Sequence, residues 1–138
     1  MQFGLFQKGK DIARIIKVRS DRIHKMADKG DWRGVGVEGT NLVYFILGEV
    51  SEKGGGGEEL EKLLLQAPPS VRREMEDPVR KLMASLEALG FAPEEMIGDF
   101  KSKKKLQQVA STTTKVVERI LSLSMASSEE SVSSGSQA

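Results

Sequence analysis

The sequence has no cysteine, no long apolar run and few aromatic residues, with one Trp, one Tyr and five Phe among 138 residues. The absence of cysteine excludes disulfides, thiolate metal sites and cysteine nucleophiles. No segment approaches the roughly 18–20 apolar residues that a membrane span requires. The N-terminus has no basic-then-apolar signal region of useful length. We therefore expect a cytosolic protein, or a chain whose numbering begins after a removed targeting segment.

An excess of one charge is also absent overall, since 21 Lys and Arg are opposed by 20 Asp and Glu, giving a net charge of +1. No global field therefore favours nucleic acid, and the basic regions have few aromatic residues for base stacking. The distribution is uneven, however. Between Lys8 and Arg33 nine basic residues stand against four Asp, and residues 101–105 add four lysines. Such faces are either solvated surface or docking sites for an acidic protein surface or an anionic membrane.

The clearest pattern is a heptad near the C-terminus. Six residues follow one another at spacings of 3, 4, 3, 4 and 3: Leu106, Val109, Thr113, Val116, Ile120 and Leu123. This spacing predicts one apolar stripe on an α-helix over about residues 100–125, which must be buried against other helices. Residues 126–138 are serine-rich and cannot bury enough apolar surface to offset their ordering entropy. We predict a helical domain over residues 1–125 and a disordered tail over 126–138.

Two further segments before the heptad are predicted to be long helices. Residues 8–28 predict a first helix that ends at Lys29-Gly30. Its inward face is expected to hold Ile12, Ile15, Ile16, Ile23 and Met26. Residues 30–40 are interpreted as a glycine-rich connection. Residues 41–53 are apolar all round, which fits a buried helix better than a lone strand whose backbone groups would have no partner.

The middle of the chain carries turn and capping signals. Residues 51–57, which end in four glycines, are interpreted as a flexible break, and a short helix follows over residues 58–66. Asp77 as N-cap and Pro78 at the first helical position predict the start of another helix, and Gly90 predicts its end. A turn at residues 93–97 links it to the heptad helix. Four principal helices with short links predict an all-α fold, a four-helix up-down bundle with short extra helical turns.

No motif in the sequence indicates catalysis. Gly34, Gly36 and Gly39 match G-x-G-x-x-G, but no strand precedes them and no parallel-sheet pattern follows, so a turning loop is favoured over a nucleotide site. His24 is the single histidine and has no second histidine to share a metal. The carboxylates form no convincing acid–base pair. We predict a protein that is not an enzyme and that uses no metal or cofactor.

The basic faces are the best functional candidates. The predicted partner-binding residues are Arg14, Lys17, Arg22, Lys25, Lys103, Lys104 and Lys105. Trp32 follows the end of the first helix, where it either packs over the mouth of the bundle or, if exposed, anchors an interface. We predict docking on a larger protein assembly, without nucleic acid.

Five pieces of the chain follow one another in a recognisable order. They are Ile12 to Lys29, Gly30-Asp31-Trp32, Asn41 to Leu47, Pro78 to Leu89 and Lys103 to Leu121. This order resembles the PsbQ-type family of four-helix-bundle subunits on the lumenal side of photosystem II, with the Asp-Trp turn as its motif-like part. The resemblance implies a non-enzymatic accessory subunit of photosynthesis at the thylakoid lumen or membrane periphery. It implies docking on a membrane-embedded photosystem through charged helix surfaces.

A second hypothesis is a soluble adaptor or regulatory protein that forms a homo-oligomer through an exposed part of the heptad. Thr113 lies in the seam and lowers the stability of a free coiled coil. Three other apolar or amphipathic segments in the same chain can cover the stripe. We therefore expect the heptad helix to be the last helix of an intramolecular bundle, which directs attention to the basic faces outside it.

Overall fold

The computed structural model describes the backbone of residues 2–52 and 59–137 and the side chains of residues 8–52 and 59–126. This part of the chain is all-helical and contains no strand. The helices are α1 (Gln2–Asp28), α2 (Trp32–Val50), α3 (Leu60–Gln66), α4 (Pro69–Phe91) and α5 (Lys103–Gln137), with short 3-10 helices at Glu94–Met96 and Gly98–Lys101. Of the predicted flexible break over residues 51–57, residues 53–57 lie outside the described residues, and Ser51 and Glu52 are hydrogen-bonded to Gln66.

The turn between α1 and α2 confirms the predicted stop of the first helix. Gly30 has a φ of 76°, a left-handed conformation that favours glycine. Asp31 then caps α2, because its side chain accepts a hydrogen bond from the backbone N–H of Gly34 at 3.0 Å. The predicted connection over residues 30–40 is wrong, since α2 begins at Trp32. Residues 41–50 are helical as predicted, and the helix ends at Val50, earlier than the predicted end at residue 53.

The glycines of the supposed connection lie inside α2 because they allow close helix packing. A Cβ atom added at Gly36 would lie 2.6 Å from the Cα atom of Gly90 on α4. A Cβ atom at Gly39 would meet the side chain of Leu86. Gly90 therefore serves the contact between α2 and α4, and the prediction that it ends a helix is wrong: α4 continues through it to Phe91.

Helix α4 also begins earlier than its capping signals predict. Pro69 occupies the first turn, where the missing N–H costs nothing, and the helix runs through Pro78 without ending. The predicted N-cap role of Asp77 is therefore wrong. Val71, Met75 and Val79 are all buried, so one continuous apolar face crosses the proline. Burial of that face offsets the hydrogen bond that Pro78 cannot donate.

The core lies where four of the helices meet. Helix α2 contacts α1, α4 and α5, and α5 also contacts α1 and α4. Five of the six heptad residues are buried, as predicted, and Leu123 is half-buried. Thr113, fully buried, donates its hydroxyl hydrogen to the carbonyl oxygen of Val109 at 2.8 Å. The seam threonine is thus satisfied within its own helix.

The apolar face of α1 is narrower than predicted. Ile12, Ile16 and Ile23 are buried, but the side chain of Ile15 is 39% exposed, so its inward assignment is wrong. Helix α1 packs against α2 and α5. These two neighbours cover the sector centred near Ile16 and Ile23, and Ile15 lies at its edge.

Helix α5 extends beyond its predicted end. Its backbone is helical to Gln137, through nearly all of the segment for which the sequence predicts disorder. The side chains after Ala126 lie outside the described residues. The disorder of residues 126–138 stays a prediction.

Candidate docking surfaces

The basic face of α1 consists of four predicted binding residues: Arg14, Lys17, Arg22 and Lys25. All four side chains are exposed on the outer side of the helix. No ion pair among residues 8–52 and 59–126 involves any of them. Val18, 63% exposed, lies between them on the same side of α1. The acidic residues Asp11 and Asp21 are also exposed on α1 and reduce its positive charge without forming an ion pair there.

Two arginines elsewhere in the described chain, Arg80 and Arg119, belong to ion pairs. Arg80 lies 2.8 Å from Glu61 and 2.9 Å from Glu76, measured between the charged nitrogen and oxygen atoms. Arg119 on α5 donates a hydrogen bond of 3.0 Å to Glu74 on α4. The guanidinium of Arg80 lowers the pKa of Glu61, and that of Arg119 lowers the pKa of Glu74. The Arg80–Glu61 pair connects α4 with α3, and the Arg119–Glu74 pair connects α5 with α4. The cations of the basic face of α1 make no such connection in the described residues.

The lysine cluster comprises Lys103, Lys104 and Lys105 in the first turn of α5. All three are exposed. Ser102 precedes them, and its hydroxyl oxygen accepts a hydrogen bond from the backbone N–H of Lys105 at 3.3 Å. Positive charge at a helix N-terminus opposes the helix dipole. The cluster therefore works against the stability of α5, which favours a role outside the fold.

The two predicted basic regions are neighbours because α1 and α5 run antiparallel. Gln107, one turn after the lysine cluster, donates a hydrogen bond of 3.0 Å to Asp28 at the end of α1. His24 lies 3.3 Å from the hydroxyl of Thr114. The lysine cluster thus lies at the same end of the molecule as Lys25, while Arg14 lies further along α1.

Trp32, for which the sequence left two alternatives, is partly covered by the core and partly exposed. The side chain is half-buried and packs against the core. The guanidinium of Arg33 lies 4.3 Å from the centre of its ring, and the ammonium of Lys101 lies 5.7 Å away. Arg33 also donates a hydrogen bond of 3.2 Å to the carbonyl oxygen of Leu89. Two cations therefore border the tryptophan at this end of the molecule.

Sequence reasoning missed three exposed apolar residues at the end of α4 and in the link between α4 and α5. Phe91, Met96 and Phe100 are 65%, 76% and 41% exposed; we call these three residues the apolar tip. Ile97, in the same link, is 5% exposed and anchors it to the core. A signal was available, since three large apolar residues recur within ten positions of a short link. Only the tertiary structure shows that they face outward.

The glycine motif and the single histidine lie on different helices, α2 and α1. Gly36 and Gly39 are helical and packed against α4, so their backbone N–H groups do not cradle a phosphate. His24 is half-buried beside Thr114. In the part of the chain that the structure describes, no three His, Cys, Asp or Glu residues are grouped to hold a metal ion. Within the same residues, no helix is both long and apolar enough to cross a membrane.

Comparisons of the chain with protein-family models, curated proteins and solved structures found no match.

Proposed function

We propose that this chain is a non-catalytic accessory subunit that docks on a larger protein assembly through its basic helix faces. The observation that carries the proposal is the grouping of four exposed cations on one face of α1. Arg80 and Arg119 are held by carboxylates on neighbouring helices, whereas the cations of the basic face of α1 are exposed and belong to no ion pair of the described residues. Open cations steer association with an acidic surface.

We propose further that α1, α2, α4 and α5 form an up-down four-helix bundle, with α3 as a short extra helix. The contacts of α1 with α2, α2 with α4, α4 with α5 and α5 with α1 support this arrangement. A rigid bundle would present the basic face as a fixed pattern of charge. A photosystem is the assembly that the sequence resemblance suggests, and docking at the thylakoid lumen remains part of this proposal.

The proposal is tested by charge reversal on α1. In the variant Arg14→Glu, Lys17→Glu, Lys25→Glu, we expect the chain to be lost from the assembly that the wild-type chain joins in native extracts. The wild-type chain should also be released when ionic strength rises from about 0.1 M to about 1 M, because the Debye length falls from about 10 Å to about 3 Å. Quantitative mass spectrometry of the isolated assembly measures both effects.

A matched variant controls for the change in net charge. Lys62, Lys81 and Lys115 are exposed on α3, α4 and α5, and their joint replacement by Glu changes the net charge equally. This control should stay bound. Retention of the α1 variant, or equal loss of both variants, would refute docking through α1.

Self-association through the heptad would have little exposed seam surface to use. Five of the six seam residues are buried inside the chain, which leaves the half-buried Leu123 as the described seam residue that a second copy could cover. Sedimentation equilibrium at micromolar concentration separates the hypotheses, since a monomer argues against the adaptor.

A further inference from the structure

The apolar tip leaves three large apolar side chains in contact with water. Met96 and Phe91 are the two most exposed large hydrophobic residues of this end, at 76% and 65%. The link is nevertheless ordered by backbone hydrogen bonds, such as the one from the N–H of Phe100 to the carbonyl oxygen of Ile97 at 3.2 Å. Water contact with these side chains is unfavourable, so covering them would release free energy.

Lysines border the apolar tip on the side of α5. Lys105 holds its ammonium 5.9 Å from the centre of the Phe100 ring, and Lys103 and Lys104, which precede it in the first turn of α5, are exposed. Lys101 pairs with Glu94 at 3.1 Å. Glu94, Glu95 and Asp99 are exposed in the link, and the four lysines between residues 101 and 105 leave a local balance of +1 over residues 94–105. A surface that covers the tip from this side therefore meets an excess of lysine.

We propose that the apolar tip and the lysine cluster form a docking surface for an anionic lipid bilayer. Phe and Met side chains at the end of a helical domain can enter the boundary between headgroups and acyl chains. Lysines contribute attraction to the negative headgroups, and their aliphatic stems can lie along the same apolar boundary. A tryptophan at this level, here Trp32, is typical of the membrane interface. The charge complementarity of the lysine cluster favours anionic lipid as the occupant.

The proposed bilayer contact is independent of the proposed docking of α1 on a protein assembly. It uses the apolar tip and the lysine cluster and needs no protein partner, whereas the charge-reversal test of protein docking changes α1 alone. The two proposals can therefore fail separately. A vesicle assay tests the tip alone, and isolation of the protein assembly tests α1.

Trp32 provides a reporter at the right place, because it is the single tryptophan of the chain. The full-length protein is titrated with vesicles of phosphatidylcholine and phosphatidylserine, and separately with vesicles of phosphatidylcholine alone. In parallel titrations part of the phosphatidylcholine carries brominated acyl chains. We expect quenching of Trp32 emission by the brominated anionic vesicles, and much weaker quenching by the neutral ones.

Two variants assign the binding to the tip. Met96→Ser with Phe100→Ser should lower the partition coefficient by about tenfold or more, since two large apolar side chains no longer enter the boundary. Lys103→Gln, Lys104→Gln and Lys105→Gln together should lower binding to anionic vesicles by about tenfold or more. Circular dichroism should show that each variant keeps the helical fold, because the altered side chains are exposed.

Matched controls lie away from the tip. Leu65 on α3 is 69% exposed, so Leu65→Ser removes a similar apolar side chain and should leave vesicle binding unchanged. Lys8→Gln, Lys62→Gln and Lys81→Gln together control for charge, since these three lysines are also exposed. Absence of vesicle binding, binding without quenching of Trp32, or equal loss in the control variants would overturn the proposal. Absence of binding would also leave a protein partner as the occupant of the tip.

Discussion

Two glycines set how closely α2 and α4 approach each other. Gly36 and Gly90 face each other across the contact, and a Cβ at Gly90 would lie 3.1 Å from the backbone of Gly36 and Val37. The two sites are not equivalent, since the contact at Gly36 is the tighter one. Gly48, on the same helix as Gly36, has nothing within 4 Å of the position where its Cβ would lie. The packing of α2 against α4 therefore needs glycine at Gly36, whereas it does not need glycine at Gly48.

Replacement of Gly36 by Ala should lower the free energy of unfolding by about 1–3 kcal/mol, because the new methyl group meets the backbone of α4 and forces the helices apart. Gly48→Ala should raise it by about 0.5–1 kcal/mol, since alanine favours the helix and space is available. Urea denaturation followed by circular dichroism measures both. If Gly36→Ala raised the free energy of unfolding as much as Gly48→Ala does, the close approach of α2 and α4 at Gly36 would be contradicted.

Helix α4 illustrates a conflict between local signals and packing at the scale of an element. The pair Asp77-Pro78 has the composition of a helix start, yet α4 passes through it from Pro69. The buried face of α4 continues on both sides of the proline. Packing therefore decides where the helix begins, and Pro78 is an internal defect that the helix tolerates.

Replacement of Pro78 by Ala should stabilise the protein. The new N–H can donate to the carbonyl of residue 74, a gain of up to about 3 kcal/mol. This gain in the free energy of unfolding is reduced by about 0.4–1 kcal/mol because the unfolded chain becomes more flexible. Pro69→Ala is the matched control. It should change stability by less than about 1 kcal/mol, because the new N–H in the first turn has no intrahelical acceptor and gains no hydrogen bond. Thermal unfolding compares the two. A destabilised Pro78→Ala variant would indicate that a separate helix starts at Asp77 in solution.

On the scale of the whole molecule, α1 and α5 pair along their length. His24 lies beside Thr114, and Asp28 bonds to Gln107. Towards the other end a Cβ at Gly9 would meet the side chain of Met125. The described core therefore reaches about as far as Met125. Residues 127–138 add one Val and one Ala to a segment that is otherwise Ser, Glu, Gly and Gln.

Deletion of residues 127–138 should leave the free energy of unfolding unchanged, because this segment has little apolar surface to bury. Deletion of residues 121–138 also removes Leu121 and Leu123, which pack against the core. This longer deletion should lower the free energy of unfolding by at least about 2 kcal/mol. Urea denaturation of the two truncated chains is the measurement. A marked loss of stability in the shorter deletion would show that the predicted tail is part of the folded domain.

The sequence by itself determined the features that depend on local spacing. The all-helical class, the stop at Gly30, the buried heptad and the exposed basic residues of α1 all follow from periodicity, charge and the freedom of glycine to adopt a positive φ. These patterns repeat within a few residues along one helix. No contact with a distant segment is needed to recognise them.

Only the tertiary structure decided the roles of Gly36, Gly90 and Pro78, and the exposure of Ile15 and the apolar tip. The reason is physical. A glycine in a loop and a glycine in a close helix contact have the same local signature, and an apolar residue does not encode which neighbour covers it. These properties depend on which distant helices meet, and that is settled by packing of the whole core.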